Sequence, residues 1–371
     1  MLALTGTRLP VLLLGMLAVT IVGTVPPPVA EGLWRIAPGE IANLLARWDT
    51  SFYYAIATTG YAWDPTTFSH QNIVFFPAYP VLMRLGGAIL GHSPMIAGLV
   101  VSLVSFTIGI AVLYRLAALE LGESYAWRVV LLLATFPYAL FFSTVYTESL
   151  FLCLSVSVFY AIRRGYLWRA AVCGVAAGLT RPNGFWLVAP LFCLAFIDHH
   201  DVWRDRPRRR LATLLAVCAP LVGVAIYSWY LHAQFGDALA WVHGQRAWGM
   251  PLLGQLPAPD PVRLPTQPRL QFVEIVNYVG NVVAFGCAAW SIEIVWRRLG
   301  LAYAAWIAIC IFPPVAAHLF LSLGRFTAVL FPVFFGLALR VPERRVPHIA
   351  AAFAAGQALL AIWFFLWQSV V

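Results

Sequence analysis

Eleven stretches of this chain are apolar and long enough, or nearly so, to cross a bilayer: about 9–29, 94–116, 128–146, 147–162, 167–181, 183–198, 211–231, 272–296, 299–321, 326–340 and 347–368. A spanning helix needs about 20 apolar residues, because each rises about 1.5 Å through roughly 30 Å of hydrocarbon. Within lipid, only helices and closed barrels satisfy every backbone polar group, and runs of this length are helical. Composition agrees, with 61% of the 371 residues hydrophobic and 11% charged, against about 25% charged in soluble domains. The expectation is an all-α integral membrane protein, one polytopic domain over residues 1–371 with about eleven transmembrane helices. The first run follows Arg8 and resembles a signal peptide. It ends in Thr24-Val25-Pro26-Pro27-Pro28-Val29-Ala30 rather than a small-x-small cleavage site, which favours a retained first helix.

Arginine sets the orientation. All 24 basic residues are Arg, and cytoplasmic loops carry the excess of positive charge. A twelfth apolar stretch, 74–91, decides the count. If it does not cross and the N-terminus is cytoplasmic, sixteen arginines lie inside and eight outside, and the cluster Arg204, Arg206, Arg208, Arg209 and Arg210 is cytoplasmic. If it crosses, that cluster moves outside. Pro77, Pro80 and Arg84 within the stretch also suit a helix lying in the interface. Residues 30–93 are therefore read as a first external loop carrying interfacial helices, and 232–271 as a second, rich in Pro (Pro251, Pro257, Pro259, Pro261, Pro265, Pro268). Loops this long usually carry function. The implied location is the cell (plasma) membrane.

Several classes are excluded. The net charge of +9 does not indicate nucleic acid, since the arginines sit where helices leave the membrane and no reading motif is present. The six cysteines, Cys153, Cys173, Cys193, Cys218, Cys287 and Cys310, lie in apolar runs without metal-ligand spacing and read as buried thiols. No phosphate-binding loop, dinucleotide fingerprint, nucleophile elbow or His-Glu-x-x-His is present. His70, His243 and His318 fall outside with no metal spacing.

Eight acids lie on the outer side: Glu31, Glu40, Asp49, Asp64, Glu148, Asp237, Asp260 and Glu274. Asp49 stands out in Ala46-Arg47-Trp48-Asp49-Thr50-Ser51-Phe52-Tyr53-Tyr54, one carboxylate wrapped by apolar and aromatic residues. Such a group is costly unless paired or used. The alternatives are a catalytic carboxylate, an ion pair with Arg47, or a helix cap. Glu148 sits at a tight external turn, as a helix first-turn acid beside Thr147 or as a site residue. Arg181 and Arg325 each open a turn at an external helix end, and Arg246 lies in the second loop. A guanidinium at that depth suits a lipid-linked phosphate or snorkels to headgroups.

The segments Arg47-Trp48-Asp49, Tyr53–Ala57, Gly60-Tyr61 and Phe75-Phe76-Pro77-Ala78-Tyr79-Pro80 resemble the PIG-V family of mannosyltransferases. So do Tyr146-Thr147-Glu148-Ser149, Leu179-Thr180-Arg181-Pro182-Asn183-Gly184 and Gln245–Trp248. The likeness follows most of the chain in order. It implies a GT-C glycosyltransferase bundle with an aspartate in the first external loop, here Asp49, and a polyprenyl- or dolichyl-phosphate-linked sugar donor. The expected reaction is inverting mannosyl transfer on the external face to a hydroxyl of a lipid- or glycan-linked acceptor, with Asp49 as base. Arg181, Arg325 and Arg246 would hold the donor phosphate. Trp48, Tyr53, Tyr79 and Trp248 would wall the sugar and lipid, and Glu148, Asn183 and Gln245 would bind substrate. No cofactor is required, although Asp49 and Glu148 could together hold a divalent metal. A transporter or flippase of lipid-linked sugar is the alternative, but it calls for internal repeats and polar residues near the midplane, whereas here charges crowd the external helix ends.

Overall fold

The computed structural model describes residues 2–23, 43–67, 69–91, 93–198, 207–248, 268–316, 322–368 and 370. All regular structure among them is helical. In chain order the helices are α1 (Leu2–Val22), α2 (Thr50–Thr58), α3 (Ala78–Ile89), α4 (Pro94–Leu121), α5 (Glu123–Thr135), α6 (Glu148–Arg164), α7 (Leu167–Gly178) and α8 (Val188–Phe192). They continue with α9 (Pro207–Phe235), α10 (Ala240–His243), α11 (Pro268–Leu299), α12 (Leu301–Ala316), α13 (Leu323–Val329), α14 (Phe331–Arg340) and α15 (Val346–Phe365).

Helix length modifies the expected count of eleven spans. Among the described residues four helices are long and apolar enough to cross: α4, the stretch Arg208–Phe235 of α9, Phe272–Leu299 of α11, and Glu343–Phe365 around α15. Two further helix pairs pass the same test only together, each bent sharply at a break. Helix α5 joins a 3-10 helix, Pro137–Ser143, across an 80° bend, and α13 joins α14 across an 82° bend. Each second half begins with a proline, Pro137 or Pro332, at its first or second position. Proline has no N–H to continue the ladder and its ring clashes with the preceding turn. Shorter apolar helices make up the rest of the bundle. The protein is thus a multi-pass membrane protein; among the described residues four helices meet the length of a span, or six with each bent pair counted as one, and the count of eleven remains an expectation.

A bend inside lipid leaves backbone carbonyls that no water can satisfy. Arg8 and Gln357 serve the first one. The fully buried Arg8 guanidinium donates to the carbonyls of Ala134 and Ala139 on either side of the break and to Gln357 Oε1 at 3.2 Å, and it lies 4.7 Å from the Phe106 ring centroid. Gln357 Nε2 donates to Phe136 O at 2.8 Å. Arg8 therefore drops out of the charge asymmetry that suggested the orientation. It is an interior brace, not a free cytoplasmic cation.

Small residues bring α7 and α9 together. A Cβ on Gly178 would collide with the Pro220 carbonyl, and one on Gly223 with the Val175 carbonyl. Close backbone approach through glycine is a membrane-helix packing device. Gly184 repeats it at the following turn, where a Cβ would lie 2.5 Å from Ala177 O. That contact folds the segment carrying Arg181 back onto α7.

The stretch 74–91 is not one continuous helix. It begins at the end of a 3-10 turn, and α3 has 12 residues, about 18 Å at 1.5 Å per residue and too short to cross. Its Tyr79, Met83 and Gly87 are buried while Val81, Leu82, Leu85 and Ile89 are exposed. In a background lacking the native cysteines, single cysteines at Asp64 and Leu85 should label from outside intact cells, and one at Arg208 only after permeabilisation. Labelling of the Leu85 position only in permeabilised cells would mean that the stretch 74–91 crosses.

Candidate active site

Helix α2 starts where two cores meet, since Trp48 packs against the larger core and Tyr53 belongs to the smaller one under α2 and α3. Trp48 has φ +53°, a left-handed conformation uncommon for a bulky residue. The other non-glycine residues with positive φ among the described residues are Ser322 and Trp367. Ser322 precedes α13, which carries Arg325, and the Trp367 ring lies 5.8 Å from that of Trp48. Backbone strain of this kind costs of the order of 1–3 kcal/mol and clusters at functional sites.

The expected competitors for Asp49 lose it. Arg47 is fully buried and donates to the carbonyls of Phe365 (3.0 Å), Ala46 (3.2 Å) and Asn43. The Asp49 side chain makes no capping hydrogen bond to α2. Its carboxylate pairs with Arg325, Nη1 to Oδ2 at 2.7 Å. Arg325 Nε also donates to Glu148 Oε1, and the same oxygen accepts from Arg181 Nη1 at 2.6 Å. Four residues from four distant parts of the chain thus form one alternating line: Asp49, Arg325, Glu148, Arg181. Two carboxylates and two guanidiniums balance.

Burial makes this balance matter. The side-chain exposures are 17% for Asp49, 8% for each arginine and 0% for Glu148, so Asp49 is the end of the line that a ligand reaches most easily. Glu148 Oε2 is buried without a hydrogen-bond partner, and all the pairing falls on Oε1. Glu148 belongs to the first turn of α6, where the helix dipole favours an anion.

The surroundings hold each member in place. Arg181 Nη1 lies 3.4 Å from Thr147 Oγ1, and the Tyr53 hydroxyl is 3.3 Å from the same atom. Burial, reinforced by Glu148, holds the Tyr53 phenol well above its ordinary pKa, so it remains a protonated donor. Arg325 is seated by α11. Asn281 Oδ1 accepts from Gly324 N at 2.7 Å, Asn281 Nδ2 donates to Asn277 O at 3.0 Å, and the Tyr138 hydroxyl donates to Asn277 O at 3.2 Å. A Cβ on Gly324 would run into the Tyr138 ring.

Tyr146 was not singled out by its chemistry, yet it touches more of the line than any predicted wall residue. Its hydroxyl accepts from Asp49 N (3.1 Å) and donates to Arg47 O (3.3 Å), and its ring lies under the Arg325 guanidinium at 4.7 Å. The available signal was its place two residues before Glu148. The buried Asn277 and Asn281, spaced i, i+4 within an apolar run, were a second signal that passed unread.

The predicted substrate walls divide. Tyr79 is fully buried, its hydroxyl donating to Gly98 O at 2.8 Å and meeting Ser102 Oγ at 2.8 Å. Tyr53 is buried edge-on against Phe75, Tyr79 and Tyr146. Neither of these two rings presents an open face in this structure. Trp48 is half-buried against Trp367, and Asn183 is half-buried two residues beyond Arg181. Gln245 and Arg246 stand apart on the 3-10 helix Gly244–Trp248, where Arg246 is exposed at a separate cavity. The Trp248 side chain, His318 and residues 249–267 of the second loop lie outside the described residues. No group of three or more metal-binding side chains occurs among the described residues.

The site joins carboxylates and arginines from the long first loop and three later helix ends of an all-helical membrane bundle. The family model "Mannosyltransferase (PIG-V)" matches residues 29–247, more than half of the chain. The chain belongs to this family, and so to the glycosyltransferases. The matched segment contains Asp49, Glu148 and Arg181; Arg325 lies beyond it. No curated protein matches the chain significantly. Among solved structures it is similar to the archaeal oligosaccharyltransferase AglB from Archaeoglobus fulgidus in complex with an inhibitory peptide and a dolichol-phosphate, at 14% identity and TM-score 0.48, covering 98% of this chain and 56% of that one. It is also similar to the Archaeoglobus fulgidus oligosaccharyltransferase in complex with Zn and sulfate, at 13% identity and TM-score 0.43, covering 97% and 53%. The chain spans about half the length of these structures.

Proposed function

We propose that this protein is a mannosyltransferase of the external face of the cell membrane, moving mannose from a polyprenyl-phosphate carrier to a hydroxyl on a lipid- or glycan-linked acceptor. The observation that carries this reading is the line Asp49, Arg325, Glu148, Arg181 in a chain of that family. Its termini suit the two needs of the reaction, a base for the acceptor and a cationic seat for the departing phosphate.

In the proposed step the acceptor oxygen attacks the anomeric carbon from the face opposite the phosphate. The new C–O bond forms as the bond to the phosphate oxygen breaks, and the configuration inverts. The hydroxyl proton passes to Asp49. The phosphate leaves with the bonding pair and one more negative charge, which Arg325 and Arg181 receive as paired donors. Arg325 links the two halves. In the resting line its Nη1 holds Asp49 Oδ2, so a donor phosphate that draws this nitrogen away frees the same carboxylate oxygen for the hydroxyl proton. Donor binding thereby prepares the base, while Glu148 keeps the two guanidiniums together.

The direct test incubates purified protein with polyprenyl-phosphate [14C]mannose and membrane lipids and identifies the labelled product; carrier-linked label that never moves to an acceptor would refute the reaction. Lysine variants test the phosphate seat. Arg181→Lys and Arg325→Lys keep a charge and lose the planar fork, so donor affinity should fall about tenfold in each, roughly one charge-assisted hydrogen bond. Unchanged donor Kd in both would make these arginines structural.

A further inference from the structure

Outside the charged line, the first and second external loops enclose a cavity of about 110 Å³ lined by Trp63, Thr67, Ser69, Gln71, His243 and Arg246, among others. We propose that this cavity is a second binding subsite, taking an anionic, hydroxyl-bearing headgroup such as a polyol phosphate. Its role as the acceptor's point of attachment rests on the transfer reaction proposed above.

The lining is mixed, with Trp63, Pro65 and Ala247 giving apolar wall and Thr67, Ser69, Gln71, His243 and Arg246 giving polar groups, as expected of a site for a hydrated ligand with an apolar face. Its acid is already used. Asp237 Oδ1 accepts from Leu239 N at 2.9 Å and Oδ2 pairs with His243 Nδ1 at 2.6 Å. Arg246 has no carboxylate partner among the described residues, and its exposed guanidinium lines the cavity with its donors free for a ligand. Anions are its natural ligands, and phosphate matches the fork.

The loops are held before any ligand arrives. Gln71 Oε1 accepts from Asp64 N at 2.7 Å and Nε2 donates to Asp64 O at 2.8 Å. Tyr227 hydroxyl donates to Ile73 O at 2.7 Å, and Trp241 Nε1 to Ser228 Oγ at 3.1 Å. A Cβ on Gly244 would meet Ile73 and Val74, so the turn bearing Arg246 packs directly on the first loop. A preformed site loses less entropy on binding.

None of the four residues of the charged line borders this cavity. In the proposed reaction the donor phosphate lies beside Asp49 and its arginines, and a cavity of about 110 Å³ has room for a headgroup and not for a polyprenyl chain. The remaining substrate is the acceptor, held away from its reacting hydroxyl, where binding energy can position it.

The test uses the full chain in detergent and native mass spectrometry with phosphatidylglycerol, phosphatidylcholine or free glycerol 1-phosphate. Wild type should retain phosphatidylglycerol in preference to phosphatidylcholine, and Arg246→Gln should lower that retention about tenfold. Competition by glycerol 1-phosphate would show that the headgroup suffices, and competition by phosphatidylglycerol alone that the ligand is a lipid. Retention in Arg246→Gln equal to wild type would overturn the subsite. In the transfer assay, Arg246→Gln should raise KM for a lipid-extract acceptor with donor Kd unchanged; a weakened donor with unchanged acceptor KM would overturn the acceptor assignment. A wild type that shows the headgroup preference but transfers no mannose would remove the proposed reaction and leave the subsite standing.

Discussion

Asp49→Asn should insert, fold and bind donor at near wild-type levels while transferring mannose 10²–10⁴-fold more slowly, the usual loss when a general base is removed. Asparagine keeps the shape of the side chain and an oxygen for Arg325 Nη1, but it does not accept a proton at neutral pH. The pair that it weakens is the most accessible in the line, with Asp49 17% exposed, and Arg325 retains Glu148. Arg325 is buried, so the loss of one of its two carboxylates costs more stability than the about 0–1 kcal/mol of a surface pair, whereas the rate loss corresponds to roughly 3–5 kcal/mol of barrier and persists when rates are compared at equal folded protein. The two effects are easily separated by initial rates at equal protein, with the melting temperature measured alongside. Turnover within a few-fold of wild type would take the base role from Asp49.

The four residues of the line were each legible because membrane chemistry makes charge expensive. An acid among aromatics, an acid at a helix turn and two arginines at external helix ends announce themselves without any knowledge of the fold. Their partners were not legible. Asp49 and Arg325 are separated by 276 positions, and nothing local to Arg47-Trp48-Asp49 shows that Arg47 turns to backbone carbonyls instead. Arg181 and Arg325 read as free seats for phosphate, whereas both are already bound to Glu148. Any incoming phosphate must therefore compete with a buried carboxylate.

The same limit explains the helices. Hydropathy averages over a window, so it reads the runs 128–146 and 326–340 as continuous, although each breaks by about 80°. Pro137 and Pro332 were visible in those runs; the first bend became tolerable through Arg8 and Gln357, which are remote from it in sequence. Arg8 shows the cost of counting charges by position. Placed at a helix end it signals orientation, while in the fold it braces a kink. Arg246 was grouped with the phosphate-binding arginines because residue type cannot distinguish one external site from another, and the tertiary arrangement puts it on a different cavity.

Glu148→Gln should be the most destabilising single change in the site. Glu148 is wholly buried and its Oε1 receives both Arg181 and Arg325. Glutamine keeps the volume but turns two guanidiniums and two acids into two guanidiniums with Asp49 alone. Removing one partner of a buried ion network strands the other charge and typically costs 3–5 kcal/mol, far more than the pair contributes when intact. The expected result is a large fall in melting temperature in detergent, with loss of donor binding at temperatures where some protein remains folded. A second change identifies the cause. Arg181→Gln in the Glu148→Gln background removes one stranded cation and restores the charge balance, so the double variant should be markedly more stable than the two single losses added together. Residues in one ion network couple by about 0.5–3 kcal/mol in such cycles. A Glu148→Gln protein that melts with wild type would mean that Glu148 carries no counter-charge for the arginines. Strict additivity in the double variant would mean that the stability of Glu148 lies in packing at the start of α6 and not in holding Arg181 and Arg325 for the phosphate.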